Sequence, residues 1–322
     1  MNEEFDLLYD CIVDYRHLND TTQNRIVLSD PLTKRFCRFC CESTDEVSFR
    51  DKTHIISETL GNKILFSNYE CSKCNKEIFG SKFEDALGKY VLPFKLISEV
   101  YGKKTSLTDK DIRTGHRIEY RKNDPILPEF NEHARKLIID RTDEKRVTVE
   151  NNEMTIQYTR QKYNPIDVYY ALLKMALTLV PFEELERFMD TLIVFQAGGH
   201  EIEIDRGVVE FQPGIDPFNG TNAQLFRRKQ EQLIDANYPY MVFKVSFGNF
   251  SIQIPVLTNE EFNQRKQSFM FQRSFEDSII RIVDFENMAP YYTAVFSVLQ
   301  KEMDEDQKRK LEEALKTNGY LN

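Results

Sequence analysis

The sequence predicts an α+β fold, with a small zinc-stabilised ββα module near the N-terminus followed by a larger mixed α+β domain. Three observations carry that expectation. Two C-x-x-C pairs, Cys37/Cys40 and Cys71/Cys74, bracket an extended segment and a turn, then lead into a long amphipathic run. A dense apolar stretch opens at Pro165, and beyond it short apolar or alternating runs read as strands.

In chain order, Phe5, Leu8, Ile12 and Tyr15 recur at a spacing that predicts one helix over residues 3–18, within an N-terminal helical segment 1–30. Residues 31–102 form a unit with its own grammar: the knuckle FCRFC, the extended VSFRDKTHII, a turn at Leu60-Gly61-Asn62, the knuckle YECSKC and an amphipathic helix. KKTSLTDKDIRTG is a polar connector, which puts the boundary after Gly102. LIID, VTVE and TIQY are expected as short strands. Pro165 starts a buried helix, PIDVYYALLKMALTLV, that Pro181 closes, and a second helix, FEELERFMDTLIVF, follows. VVEF, YMVFKVSF and SIQIPVL predict strands, and the chain from Tyr291 onward reads as helical. Residues 103–322 are thereby expected as one α+β domain. Tyr163, Tyr169, Tyr170, Tyr291 and Tyr292 are expected in cores or interfaces rather than as base-stacking positions.

Composition narrows the classes. No run approaches the roughly 18–20 apolar residues that a membrane helix needs, so no membrane span is expected. The first twenty residues lack the basic start and apolar core of a signal peptide, which points to the cytoplasm. In a reducing compartment, paired C-x-x-C motifs favour metal over disulfides. A net charge of −9 and a pI near 5.3 argue against non-specific coating of nucleic acid.

Zinc takes four thiolate or imidazole ligands in a tetrahedron, and two C-x-x-C turns about 30 residues apart present two sulfurs from either side. Cys37, Cys40, Cys71 and Cys74 are the expected ligands of a structural Zn2+, with no position left for water. Cys41 could replace Cys40 through a C-x-x-x-C pairing, although the two-residue gap is the commoner knuckle. Cys11 stands alone and is expected in a core.

Between the knuckles stands THIISETLGNKIL, and the second knuckle continues as CNKEIFG. Over roughly residues 36–90 this resembles the zinc-knuckle branch of the HNH endonucleases, which are ββα-metal nucleases. The resemblance implies that His54 is the general base that activates water, Asn62 the residue that steadies the base through its loop, and Asn75 a ligand of a catalytic Mg2+ or Mn2+. Thr53 stands where many members carry the second ligand of that cation as Asp, Glu or His. Asp51 and Glu58 are the neighbouring carboxylates that could replace it, and Ser57 stands where the pattern has Pro.

The expected activity is therefore metal-dependent hydrolysis of DNA phosphodiester bonds, with RNA left open. The resemblance further implies a regulatory or targeting C-terminal region that recognises a protein partner or signal, and a regulated effector in bacterial defence against phage or foreign DNA. A homo-oligomer is left open. The competing expectation is a zinc-stabilised nucleic-acid-binding protein that has lost catalysis, for which Thr53 is the favouring feature.

Overall fold

The computed structural model describes residues 3–32, 34–98, 100–102, 106–110, 117–121, 138–139, 147–150, 153–196, 204, 206–212, 217–229, 237–264, 269–275, 278–285, 287, 291–297 and 309. The chain is mixed α+β, as its sequence predicts. It divides into two compact units, Met1–Lys103 with Gln161–Met288, and Lys104–Arg160 with Ala289–Asn322. The single domain expected over 103–322 is thus shared between both units, and its larger part is continuous with the knuckle segment.

The first unit is built on a six-stranded antiparallel sheet. Its order is β1 (Tyr9–Tyr15), β11 (Asn222–Arg228), β12 (Met241–Phe247), β13 (Phe250–Val256), β10 (Arg206–Phe211) and β14 (Ile279–Asp284). The N-terminal residues correct the sequence expectation: α1 (Glu3–Leu8) is one short helix, residues 9–15 of the expected helix are β1, and residues 16–18 are neither. Tyr9 lies opposite Arg228 and Tyr15 opposite Ala223, so ladder hydrogen bonds to a distant strand override the local helical period.

β12 and β13 are buried along their whole length. One face is apolar, with Phe243 opposite Leu225 and Ile254. The other is polar, with Lys244 opposite Gln224 and Gln253. Both faces are covered, which is why the strands alternate in polarity without alternating in exposure.

A small mixed sheet joins β2 (Ile26–Leu28) in parallel to β4 (Leu65–Ser67), with β3 (Thr53–His54) antiparallel on the other edge of β4. After β4 the chain enters a π-helical segment, Cys74–Phe83, that runs into α2 (Glu84–Ser98). This gives the ββα order.

α3 (Pro165–Leu179) begins with Pro in its first turn, where a missing N–H costs nothing, and stops at Val180 before Pro181. It is buried on nearly every side. Tyr170 stacks on Phe83 at 5.2 Å between ring centres, while the Tyr169 hydroxyl donates to the Pro255 carbonyl on β13. The helix is therefore the shared core between the knuckle segment and the sheet. A 3-10 turn (Phe182–Phe188) and α4 (Met189–Gln196) follow, and Phe195 closes the cluster against Phe39, Phe79 and Phe83. α5 (Asn259–Asn263) is held by a capping box of Thr258 and Glu261.

The second unit contains two three-stranded antiparallel sheets: β5 (Ser106–Lys110), β6 (Arg117–Arg121) and β7 (Ile138–Ile139); and β8 (Val147–Glu150), β9 (Glu153–Thr159) and β15 (Tyr291–Ser297). Two expectations are corrected here. Part of the polar connector is β5, and the stretch at Tyr291 is a strand paired with β9 rather than a helix. The tail beyond 297, expected as helix, lies outside the described residues apart from 309, as do the side chains of Tyr291 and Tyr292.

Candidate functional site

The first knuckle is a tight turn in which the Cys41 amide donates to the Cys37 carbonyl at 2.8 Å. Cys41 takes a left-handed φ of 59° and is exposed, so its side chain stands outside the cluster and Cys40 takes the ligand position. The second knuckle opens the π-helical segment, with the Asn75 amide donating to the Cys71 carbonyl at 3.0 Å. The Arg38 backbone amide donates to the Tyr69 carbonyl at 2.7 Å, which ties the two turns together.

The sulfurs of Cys37, Cys40, Cys71 and Cys74 all lie within 4.8 Å of one another. The Cys40 and Cys71 sulfurs are 3.8 Å apart, which matches the edge of a tetrahedron with metal–sulfur bonds of about 2.3 Å. Backbone amides of Cys71 and Cys74 donate to the sulfurs of Cys37 and Cys71, each at 3.4 Å. The hydrogen bond from Cys74 holds the Cys37 thiol down at about 5, whereas burial pushes Cys40 up to about 12. Four thiolates this close repel one another, and a divalent soft cation is what lets them all ionise. The donor set fits Zn2+, and with four protein sulfurs such an ion is structural.

The loop after β3 presents the second cluster. Ser57 caps a 3-10 turn at Glu58–Leu60, and Gly61 follows with φ 99°. A Cβ there would meet Thr221 Oγ1 at 2.7 Å, so both conformation and space call for glycine. Thr221 Oγ1 donates to the Leu60 carbonyl at 2.7 Å, which fastens the loop to the start of β11.

Asn62, fully buried, then staples the loop from inside. Its Nδ2 donates to the carbonyls of Ile56 and Leu65 at 2.7 and 2.8 Å, and its Oδ1 accepts from the amides of Ile64 and Leu65 at 3.1 and 2.9 Å. The same Nδ2 lies 3.4 Å from His54 Nδ1, and Phe66 packs 4.5 Å from the imidazole centre. Both Asn62 amide protons are committed to carbonyls, so this contact seats the ring without fixing its tautomer.

His54 and Asn62 are thus brought together, while Asn75 lies half-buried on the helix start beside the ligand Cys74. Thr53 is placed otherwise. Its hydroxyl donates to the Ser67 carbonyl at 2.8 Å and its side chain is buried in the β3–β4 packing. Adjacent strand residues face opposite ways, so the half-buried His54 and the buried Thr53 lie on opposite faces of β3. Asp51 forms an ion pair with Lys76, the residue after Asn75, at 3.1 Å, and Lys76 holds its carboxyl below the usual range. Glu58 is engaged by Lys63 at 2.8 Å.

Three side chains around this site escape the sequence reading. Lys174 of α3 donates to the His54 carbonyl at 3.1 Å and pairs with Glu70 Oε2 at 2.9 Å, both side chains being buried. Burial pushes the Glu70 carboxyl up to about 7, opposed by Lys174. Arg38, inside the first knuckle, donates to the carbonyls of Leu177, Thr178 and Val180 at the end of α3 while pairing with Asp30 at 2.6 Å. A signal existed for Lys174, the lone charge deep in an apolar helix, and for Glu70, a carboxylate directly before a zinc-type cysteine.

Among the described residues no helix is long and apolar enough to cross a membrane. Comparison with known proteins found no match among curated proteins or solved structures. The HNH endonuclease family model matches residues 37–92, a span that opens on the first zinc-type cysteine and contains His54, Asn62, the second knuckle and much of α2. The segment from residue 37 to residue 92, which holds the four-cysteine cluster, is thus similar to the HNH endonucleases.

Proposed function

We propose that the protein is a metal-dependent endonuclease that hydrolyses phosphodiester bonds of DNA, with His54 as general base, Asn62 as its support and Asn75 as a ligand of the catalytic cation. The observation that carries this reading is the seating of His54 against Asn62 inside a segment matched to the HNH endonucleases. A half-buried imidazole whose tautomer is not fixed can take a proton from water beside a phosphate. Asn75 offers a neutral amide oxygen, and Asp51, tied to the neighbouring Lys76, is the carboxylate near that helix turn. Such oxygen donors suit Mg2+ or Mn2+. When bound, the cation neutralises charge at the phosphate and the leaving oxygen.

In this reading Thr53 packs the strand and holds no metal, and the charge it lacks is supplied by Asp51 and by substrate phosphate. The cysteine site keeps Zn2+ as a structural ion. The acidic remainder of the chain fits a cytoplasmic effector that a partner or signal controls, acting against phage or foreign DNA. A neutral, buried Thr53 favours a second reading, a zinc-stabilised nucleic-acid-binding protein without catalysis.

The test is incubation of supercoiled plasmid, and of RNA in parallel, with wild type and His54→Ala in Mg2+ or Mn2+. The expected result is nicking or linearisation by wild type, lowered about 10²–10⁴-fold in the variant, with zinc content and circular dichroism unchanged. Equal cleavage by both proteins would remove His54 from the chemistry. Absence of cleavage by either, with DNA still bound, would favour the binding protein.

A further inference from the structure

We propose that Lys174, on a helix outside the matched nuclease segment, is a positioning residue for His54. This rests on the reading of His54 as the base.

β3 is only two residues long and forms the edge of its sheet. A strand of two residues makes little ladder pairing of its own, so other contacts hold its side chains. The His54 carbonyl is held by the Lys174 ammonium at 3.1 Å. That bond fixes the peptide plane that follows His54, and hence the direction of its Cα–Cβ bond. Asn62 and Phe66 then restrain the ring itself.

The ammonium that does this is 3% exposed, its partner Glu70 is 0% exposed, and Phe79 lies 5.4 Å beneath it. A buried ion pair is a poor source of stability, since desolvating two charges offsets most of their attraction. What it does supply is a donor with a fixed place. Lys174 is locked by Glu70 from the second knuckle and by the packing of α3, so it refers the position of His54 to both the zinc module and the helix core. A displacement of about 1 Å in a reacting group can cost about 10²-fold in rate.

The decisive variant is Lys174→Met combined with Glu70→Gln in the full-length chain. It removes the buried pair together, so no uncompensated charge remains, and both replacements keep volume. Three measurements are made: zinc per chain with thermal unfolding, steady-state cleavage of a duplex in Mg2+ or Mn2+, and the imidazole proton resonances of His54. The expected result is one zinc per chain with cooperative unfolding, kcat lowered tenfold or more with KM unchanged, and a His54 resonance that broadens or doubles. On a His54→Ala background the same pair of changes should lower residual cleavage no further.

A sharp, unshifted His54 resonance with kcat within about twofold of wild type would overturn the proposal, as would loss of zinc in step with loss of activity. If wild type does not cut, the reading of His54 as base falls. The resonance still decides whether Lys174 positions the ring.

Discussion

Among the described residues, Lys244 is a buried charge that a pH test can read. It sits on β12 at 1% exposure, with its ammonium 4.7, 4.9 and 5.8 Å from the rings of Phe275, Phe226 and Phe5. Burial pushes it down to about 8, against the pull of Glu210. Between that value and the ordinary lysine value near 10.4 the unfolded chain binds more protons, so stability rises with pH across that window. Below it the cost stands in full, about 3 kcal/mol before cation–π attraction to the three rings offsets part of it. Lys244→Met should therefore raise the unfolding free energy by about 1–3 kcal/mol at pH 7, and the gap should close by pH 10.5. Urea unfolding at both pH values measures it, and a gap that does not change with pH would mean that the rings already hold the charge at no cost. At this scale the zinc-type cysteines were legible, because spacing along a short segment sets their geometry, whereas His54 and Asn62 were singled out by the resemblance alone. Lys174 and Arg38 were not, since the carbonyls their side chains bond lie more than a hundred residues away.

Among the elements, α3 depends on a donor from outside itself. The last carbonyls of a helix have no partner within it, and here Arg38 Nη1 reaches those of Leu177, Thr178 and Val180 at 3.0, 3.2 and 2.9 Å. The same guanidinium stacks 3.7 Å over the Tyr69 ring and pairs with Asp30. Arg38→Met should lower stability by about 3–5 kcal/mol, because it strands a mostly buried carboxylate and three carbonyls. Adding Asp30→Asn should recover part of that loss. Thermal unfolding at fixed zinc occupancy reads both effects, and a loss below about 1 kcal/mol in the single variant would show that the contacts are idle. Helices closed by proline were readable, as α3 shows. β1 was not, because Phe5, Leu8, Ile12 and Tyr15 carry a helical period and only β11 makes part of it a strand. β5 and β15 were missed for the same reason: a polar or mixed segment becomes a strand through its partner.

For the whole molecule, the segmentation into 31–102 and 103–322 follows composition, whereas packing follows α3. Phe39, Phe79 and Phe83 lean on Phe195 and Tyr170, which lie beyond the second unit's first segment in the chain. A fragment of residues 31–103 should thus bind zinc yet show no cooperative unfolding, since the metal organises two knuckles but does not replace an aromatic core. Calorimetry of the zinc-loaded fragment checks this, and a sharp transition would show the module to be self-sufficient. The order of segments also has a consequence for biosynthesis. His54 leaves the ribosome 120 residues before the lysine that holds its carbonyl, a delay of about 6–24 s at about 5–20 residues per second. The sheet that fastens its loop at Thr221 arrives later still. On the proposed reading, a truncated translation product that ends before α3 carries the knuckles and His54 without the Lys174 bond, and is expected not to cut.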